Sequence, residues 1–215
     1  MSQVRKSLPW ADIVLDTSSS KIVVKQRWKY VWKLTSGEKS WTSKEKEAFH
    51  TNFVALILKT WSSKLTVVAD GDKIHLGNLA EKSFPITFAI RNNQPNPHWT
   101  VNVTKIKKGT WKGSSVQWSR RIMILDSQDL HLVKKCAVPS VCRYQAGGPH
   151  EFGHAIGNTV VLNRGDEYKP SRVGFADKDS VMNLGMQVRK RHFTTIIDAL
   201  NKMVPGVTFR VKSGS

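Results

Sequence analysis

Residues 147–158 read Gly147-Gly148-Pro149-His150-Glu151-Phe152-Gly153-His154-Ala155-Ile156-Gly157-Asn158, and the rest of the chain is best read outward from this segment. On a helix, residues four apart share a face, so His150 and His154 can aim ring nitrogens at one point with Glu151 beside them. The spacing predicts a helix over 145–157, weakened at its start by Gly147, Gly148 and Pro149 and stopped at Gly157-Asn158. Two imidazoles do not complete a metal site. A catalytic zinc ion takes three protein ligands and keeps a fourth position for water, whose pKa it lowers toward neutrality. A carboxylate such as Glu151 can then take the water's proton and later deliver it to a leaving amine. Only three of the five positions in His-Glu-x-x-His are fixed, so the pattern alone also describes a surface helix with two histidines.

Upstream, Trp28, Tyr30, Trp32 and Leu34 alternate with Arg27, Lys29 and Lys33, which predicts a strand over 21–34 with one buried face. Thr42 and Glu45 form a capping-box pattern, and Phe49, Phe53, Leu56, Ile57 and Trp61 follow at helical spacing, predicting a core-facing helix over 43–62. Turn signals then separate strands expected at 64–69, 84–91, 98–106 and 116–125. A third helix is expected over 191–203, with Phe193, Ile196, Ile197 and Leu200 inward. The fold class is therefore α+β, a mixed twisted sheet with a backing helix, the histidine helix and a C-terminal helix.

At 215 residues and 40% hydrophobic content the chain suits a single domain with its own core. No stretch reaches the roughly 20 apolar residues of a membrane span, and the opening Met-Ser-Gln-Val-Arg-Lys-Ser-Leu-Pro-Trp lacks the apolar centre of a secretory signal. A soluble protein is expected. The formal charge of +18 favours acidic partners in general. The cations Lys105, Lys107, Lys108, Arg120, Arg121, Lys134, Lys135, Arg189, Lys190 and Arg191 fall in no nucleic-acid-binding motif, so nucleic acid is not the partner this reading favours. Two cysteines, Cys136 and Cys142, exclude a four-cysteine zinc site; a small loop-closing disulfide and a pair of reduced thiols both fit their spacing. His50, His75, His98 and His131 have no partner at ligand spacing and are expected to be structural or exposed.

The run His-Glu-Phe-Gly-His-Ala-Ile-Gly-Asn resembles the metzincin clan of zinc peptidases, in which the motif continues to a glycine and a third ligand. Gly157 stands where that glycine lets the chain leave the helix sharply. Ser180-Val181-Met182-Asn183 resembles the methionine turn of the clan, with Met182 beneath the metal. Gly165-Asp166-Glu167-Tyr168 is similar to the segment carrying the third ligand in bacterial relatives, but the register departs from the pattern. Ten residues after His150 stands Val160, which cannot bind zinc, so an insertion over 158–164 is inferred.

The resemblance implies one zinc ion held by His150, His154 and Asp166, with Glu151 as general base and with Glu167 and His192 as rivals for the third ligand. His192 is a candidate for a metal or oxyanion contact, and Tyr168 for a hydrogen bond near the metal or a packing role. It implies a zincin-like domain over 1–215, with an N-terminal subdomain to about 157 and a C-terminal one over about 158–215. It further implies a polypeptide substrate, held along an edge strand over 120–128 that includes Ile122 and Ile124. A bacterial effector or toxin exported by a specialised secretion apparatus, with a separate inhibitor or immunity protein, is the setting the resemblance suggests; otherwise the protein is cytoplasmic. The alternatives are a basic nucleic-acid-associated protein with a zinc site, or a protease acting on DNA-bound proteins.

Overall fold

In a computed structural model that describes residues 3–212, the chain forms a mixed α+β fold. Its centre is β3, Lys21–Leu34, long enough to serve several neighbours. Its first half pairs antiparallel with β2, Ala11–Asp16, and parallel with β5, Ser83–Asn92; its second half pairs parallel with β6, Trp99–Lys105. β1, Gln3–Leu8, folds back on β2. The sheet extends through β4, Thr66–Gly71, to β11, Val207–Val211, on one side. On the other it runs through β8, Ile122–Asp126, to β7, Ser115–Gln117. A separate hairpin, β9 (Leu132–Val138) and β10 (Val141–Ala146), leads into α3, Gly147–Ala155.

The alternation along β3 buries Ile22, Val24, Gln26 and Trp28 on one face, and α1, Ser43–Trp61, covers that face with Phe49, Phe53, Ile57 and Trp61. The capping box forms as expected: the Glu45 amide donates to Thr42 Oγ1 and the Thr42 amide donates to the Glu45 carboxylate. Phe152 of α3 packs edge-on against Trp61 and Phe88, and the Trp61 indole N–H donates to the carbonyl of Pro149 at 2.9 Å. The histidine helix is thus bolted to the core through its apolar side.

The expected strand over 116–125 is instead a hairpin. Trp118–Arg120 form a 3-10 turn, Arg121 takes a left-handed conformation (φ 55°), and β7 returns antiparallel along β8. β8 is therefore paired on both sides, which corrects the placement of Ile122 and Ile124 on an edge strand: the edge beside α3 is β7. The third helix is shorter than expected, a 3-10 turn over Lys190–Phe193 followed by α4, Thr194–Leu200. A short α2, Lys73–Leu76, follows β4. Cys136 and Cys142 face each other across β9 and β10 and are joined in a disulfide. Among the described residues, no helix is long and apolar enough to cross a membrane.

Candidate metal centre

α3 presents His150 and His154 from adjacent turns into a cleft of about 770 Å³ whose lining also includes Glu151, Asp166 and Tyr168. Past the helix, Gly157 has φ 109°, and a Cβ there would meet Thr195 Oγ1 at 2.2 Å, so glycine is required by both backbone and space. Residues 158–164 then leave the helix through a 3-10 turn at Val160–Leu162 and are drawn back by Arg164, whose guanidinium reaches Thr195 Oγ1 at 2.6 Å. This return delivers Asp166 to the two histidines.

Asp166 Oδ1 lies 3.0 Å from His150 Nε2 and 3.2 Å from His154 Nε2, and the three donor atoms are all within 4.8 Å of one another. The Nδ1 of His150 lies 2.8 Å from the carbonyl of Val181, and that of His154 meets the carbonyl of Asn158. A carbonyl only accepts, so Nδ1 of each ring carries a proton, and Nε2 is the atom each ring turns to Asp166. Asp166 Oδ1 is buried and has no hydrogen bond despite these close approaches. Two imidazole nitrogens and a carboxylate oxygen facing one point could hold a cation. The nitrogen and oxygen donor set suits a first-row transition metal such as zinc, copper, iron or nickel.

Burial raises the Asp166 carboxyl, but the two histidines outweigh it and hold the group well below the usual carboxylate range. Glu151 shifts the other way. It is buried, its Oε2 has no hydrogen-bond partner, and burial pushes its carboxyl up against the opposing pull of His150 and His154. A carboxylate held near this cluster with a raised pKa and an unpaired oxygen is equipped to take up a proton.

Met182 is buried beneath α3, and a Cβ added to Gly153 would meet its Sδ at 2.3 Å. The same turn supplies the Val181 carbonyl to His150, and the Met182 carbonyl accepts the Glu167 amide at 2.8 Å. Gln145 Nε2 ties the turn together from the other side, within 3.0 Å of the carbonyls of Val181, Asn183 and Gly185. Tyr168 stacks on the His150 ring, centroids 5.8 Å apart.

Glu167 and His192 do not join the cluster. Glu167 forms a two-pronged ion pair with Arg191 at 2.7 and 2.9 Å, and Arg191 and Arg189 both bind Asp177. His192 is buried, accepts the Arg189 amide on Nδ1, and turns Nε2 to Ser180 and Glu167 at 3.3 Å each. With both nitrogens committed it contacts no ligand, and it acts by fixing the segment next to Asp166. Of the remaining histidines, His50 pairs with Tyr30 and His98 with Arg27, His75 is exposed, and His131 is exposed but lines the cleft.

Several contributors carry no sequence signal of their own. Asn158 supplies the carbonyl for His154 and donates its side-chain amide to the carbonyls of Gly153 and His192. Asp129 accepts from Ser114 Oγ at 2.6 Å and from the Asp126 amide, lies against Gly147 at the start of α3, and is pushed by burial up to about 7. Trp111, 77% exposed, and Val160, 63% exposed, add apolar surface to the cleft.

No family model, curated protein or solved structure matches this chain.

Proposed function

We propose that the protein is a metzincin-like zinc endopeptidase that hydrolyses a polypeptide in the cleft beside α3. The observation carrying this reading is the convergence of His150 Nε2, His154 Nε2 and Asp166 Oδ1, with each Nδ1 anchored to a backbone carbonyl and Glu151 buried next to them. A zinc ion held by these three residues would supply Lewis acidity, making a water more acidic and polarising a substrate carbonyl.

The remaining work falls to the chain. Glu151 takes the proton of the attacking water and returns it to the amine that leaves, a role helped by a carboxyl pKa raised by burial. Val181 and Asn158 keep the two rings oriented and in one tautomer. Among the described residues β7 pairs only with β8, leaving its outer backbone edge to add an extended substrate strand, and Ser115 and Val116 line the same cleft as the ligands. Trp111 and Val160 favour apolar side chains on that substrate. The disulfide supports a protein that works in an oxidising compartment, with an exported effector or toxin role as the setting proposed.

The test is zinc content measured beside cleavage of a peptide library. Glu151→Gln is expected to keep zinc and lose activity by about 10²- to 10⁴-fold, because it removes the base and no ligand. Asp166→Ala is expected to lose zinc. A Glu151→Gln variant with full activity would refute the mechanism.

A further inference from the structure

The helices α1 and α3 cover one face of the sheet; the opposite face, exposed or partly exposed except at Val14, Thr104 and Asp126, carries the odd-numbered residues of β3. These are Lys21, Val23, Lys25, Arg27, Lys29, Val31 and Lys33, exposed or partly exposed where the even-numbered Ile22, Val24, Gln26 and Trp28 are buried. The register extends the face sideways: Arg27 lies beside Arg91 of β5, Lys29 beside Thr100 and Lys33 beside Thr104 of β6. Four carboxylates of the sheet share the face and are already engaged, one of them the buried Asp126 of β8, which lies in register with Thr104 and accepts the Lys112 and Gln128 amides. Asp12 pairs with Arg27, Asp16 accepts from Gln3, Ser18 and Ser19, and Asp70 pairs with Arg210 at 2.9 Å. Among the described residues, Lys21, Lys25, Lys29, Lys33 and Arg91 meet no carboxylate within ion-pair distance.

We propose that this face is a binding surface for duplex nucleic acid, gripped through its phosphates. At about 3.3 Å per residue, the row from Lys21 to Lys33 runs about 40 Å, close to the roughly 34 Å of one duplex turn. The ladder is lysine rather than aromatic. The outward positions of β3, β5 and β6 hold Val, Lys, Arg, Ser, Pro, Thr, Ala and Asn, and no ring on which an unpaired base could stack. That favours a duplex bound by its backbone over a single strand bound by its bases. It also implies little sequence preference. Because α3 lies on the other face, a duplex held here leaves the cleft open, and the surface works whether or not the metal centre is catalytic.

The experiment is fluorescence anisotropy of a labelled 30-base-pair DNA duplex titrated with the full chain at 50 and 200 mM salt. Five phosphate contacts predict a slope of log K against log salt near −4.5, or about 500-fold weaker binding at the higher salt. The triple variant Lys29→Gln/Lys33→Gln/Arg91→Gln is expected to make the slope shallower by about 3. Single Lys29→Gln and Lys33→Gln variants, exposed positions that leave packing untouched, each change it by about 1. A control triple of equal charge, Lys44→Gln/Lys59→Gln/Lys64→Gln, on and just beyond α1, should bind as the parent does. Glu151→Gln should also bind as the parent does, which separates this surface from the peptidase reading. Equal weakening by both triples would assign binding to net charge and overturn the proposal. So would absence of duplex binding, or capture by phosphatidylserine vesicles without it.

Discussion

Gly153→Ala places a methyl group where the histidine helix rests on the turn that carries Met182. The position is helical and not in the left-handed region, so alanine fits the backbone and by propensity alone stabilises the helix by about 1 kcal/mol. Against this, the new Cβ would stand 2.3 Å from Met182 Sδ and 3.0 Å from Trp61 Cζ2. Normal carbon contacts lie near 3.5–4.0 Å, so the overlap with sulfur exceeds about 1 Å. Overpacking of this kind costs about 1–3 kcal/mol, and here both neighbours are fully buried with no free side to move into. The overlap wins, and a net loss of about 1–2 kcal/mol is expected. The assay is chemical unfolding followed by tryptophan fluorescence, run as a cycle with Met182→Ala. Met182→Ala alone should cost about 2–5 kcal/mol by leaving a cavity. The double variant should lose less than the two singles together, by about 1–3 kcal/mol, because the methyl occupies space vacated by the thioether. A Gly153→Ala protein as stable as the parent, or strict additivity, would refute the contact between helix and turn.

Three other outcomes follow from the site. His192→Ala should lower stability by about 1–3 kcal/mol, since it strips the Arg189 amide of its buried acceptor, yet leave zinc per folded molecule unchanged; zinc loss from folded protein would return His192 to the ligand set. Cys136→Ser/Cys142→Ser should cost about 2 kcal/mol through the freed loop, and an unchanged unfolding midpoint would show that the hairpin is held by other contacts. Asp129 is pushed from its ordinary 3.8 up to about 7, so the folded state holds the proton more tightly. Its contribution is complete below about pH 4 and is lost as pH rises through about 7. Asp129→Asn should therefore flatten the fall in stability between those pH values, and an unaltered profile would rule out a protonated Asp129.

Much of the fold was legible because local pattern and burial agree. The alternation in β3 and the Thr42/Glu45 capping box mark elements that appear where expected. β9 was not legible: it is exposed or partly exposed along its whole length and is held by pairing and the disulfide, so no periodicity betrays it. The 116–125 run failed for a different reason. No glycine or proline marks the turn, and the reversal depends on Arg121 adopting a left-handed conformation that its side chain does not advertise. In the site, His150, Glu151 and His154 come from one short segment and could be read from spacing. Asp166 needed the inferred loop. The roles of Val181, Asn158 and Gln145 rest on carbonyls and amides whose meeting only the folded chain determines.

The turn around Met182 also sets an order of events during synthesis. The carbonyl that orients His150 belongs to Val181, and the turn around it is gathered by Gln145. A ribosome adding about 5–20 residues per second emits the histidine helix seconds before its buttress. Through that interval the nascent chain carries both imidazoles without the acceptor that fixes the first of them, so a competent centre arises only after the later segment has emerged and docked.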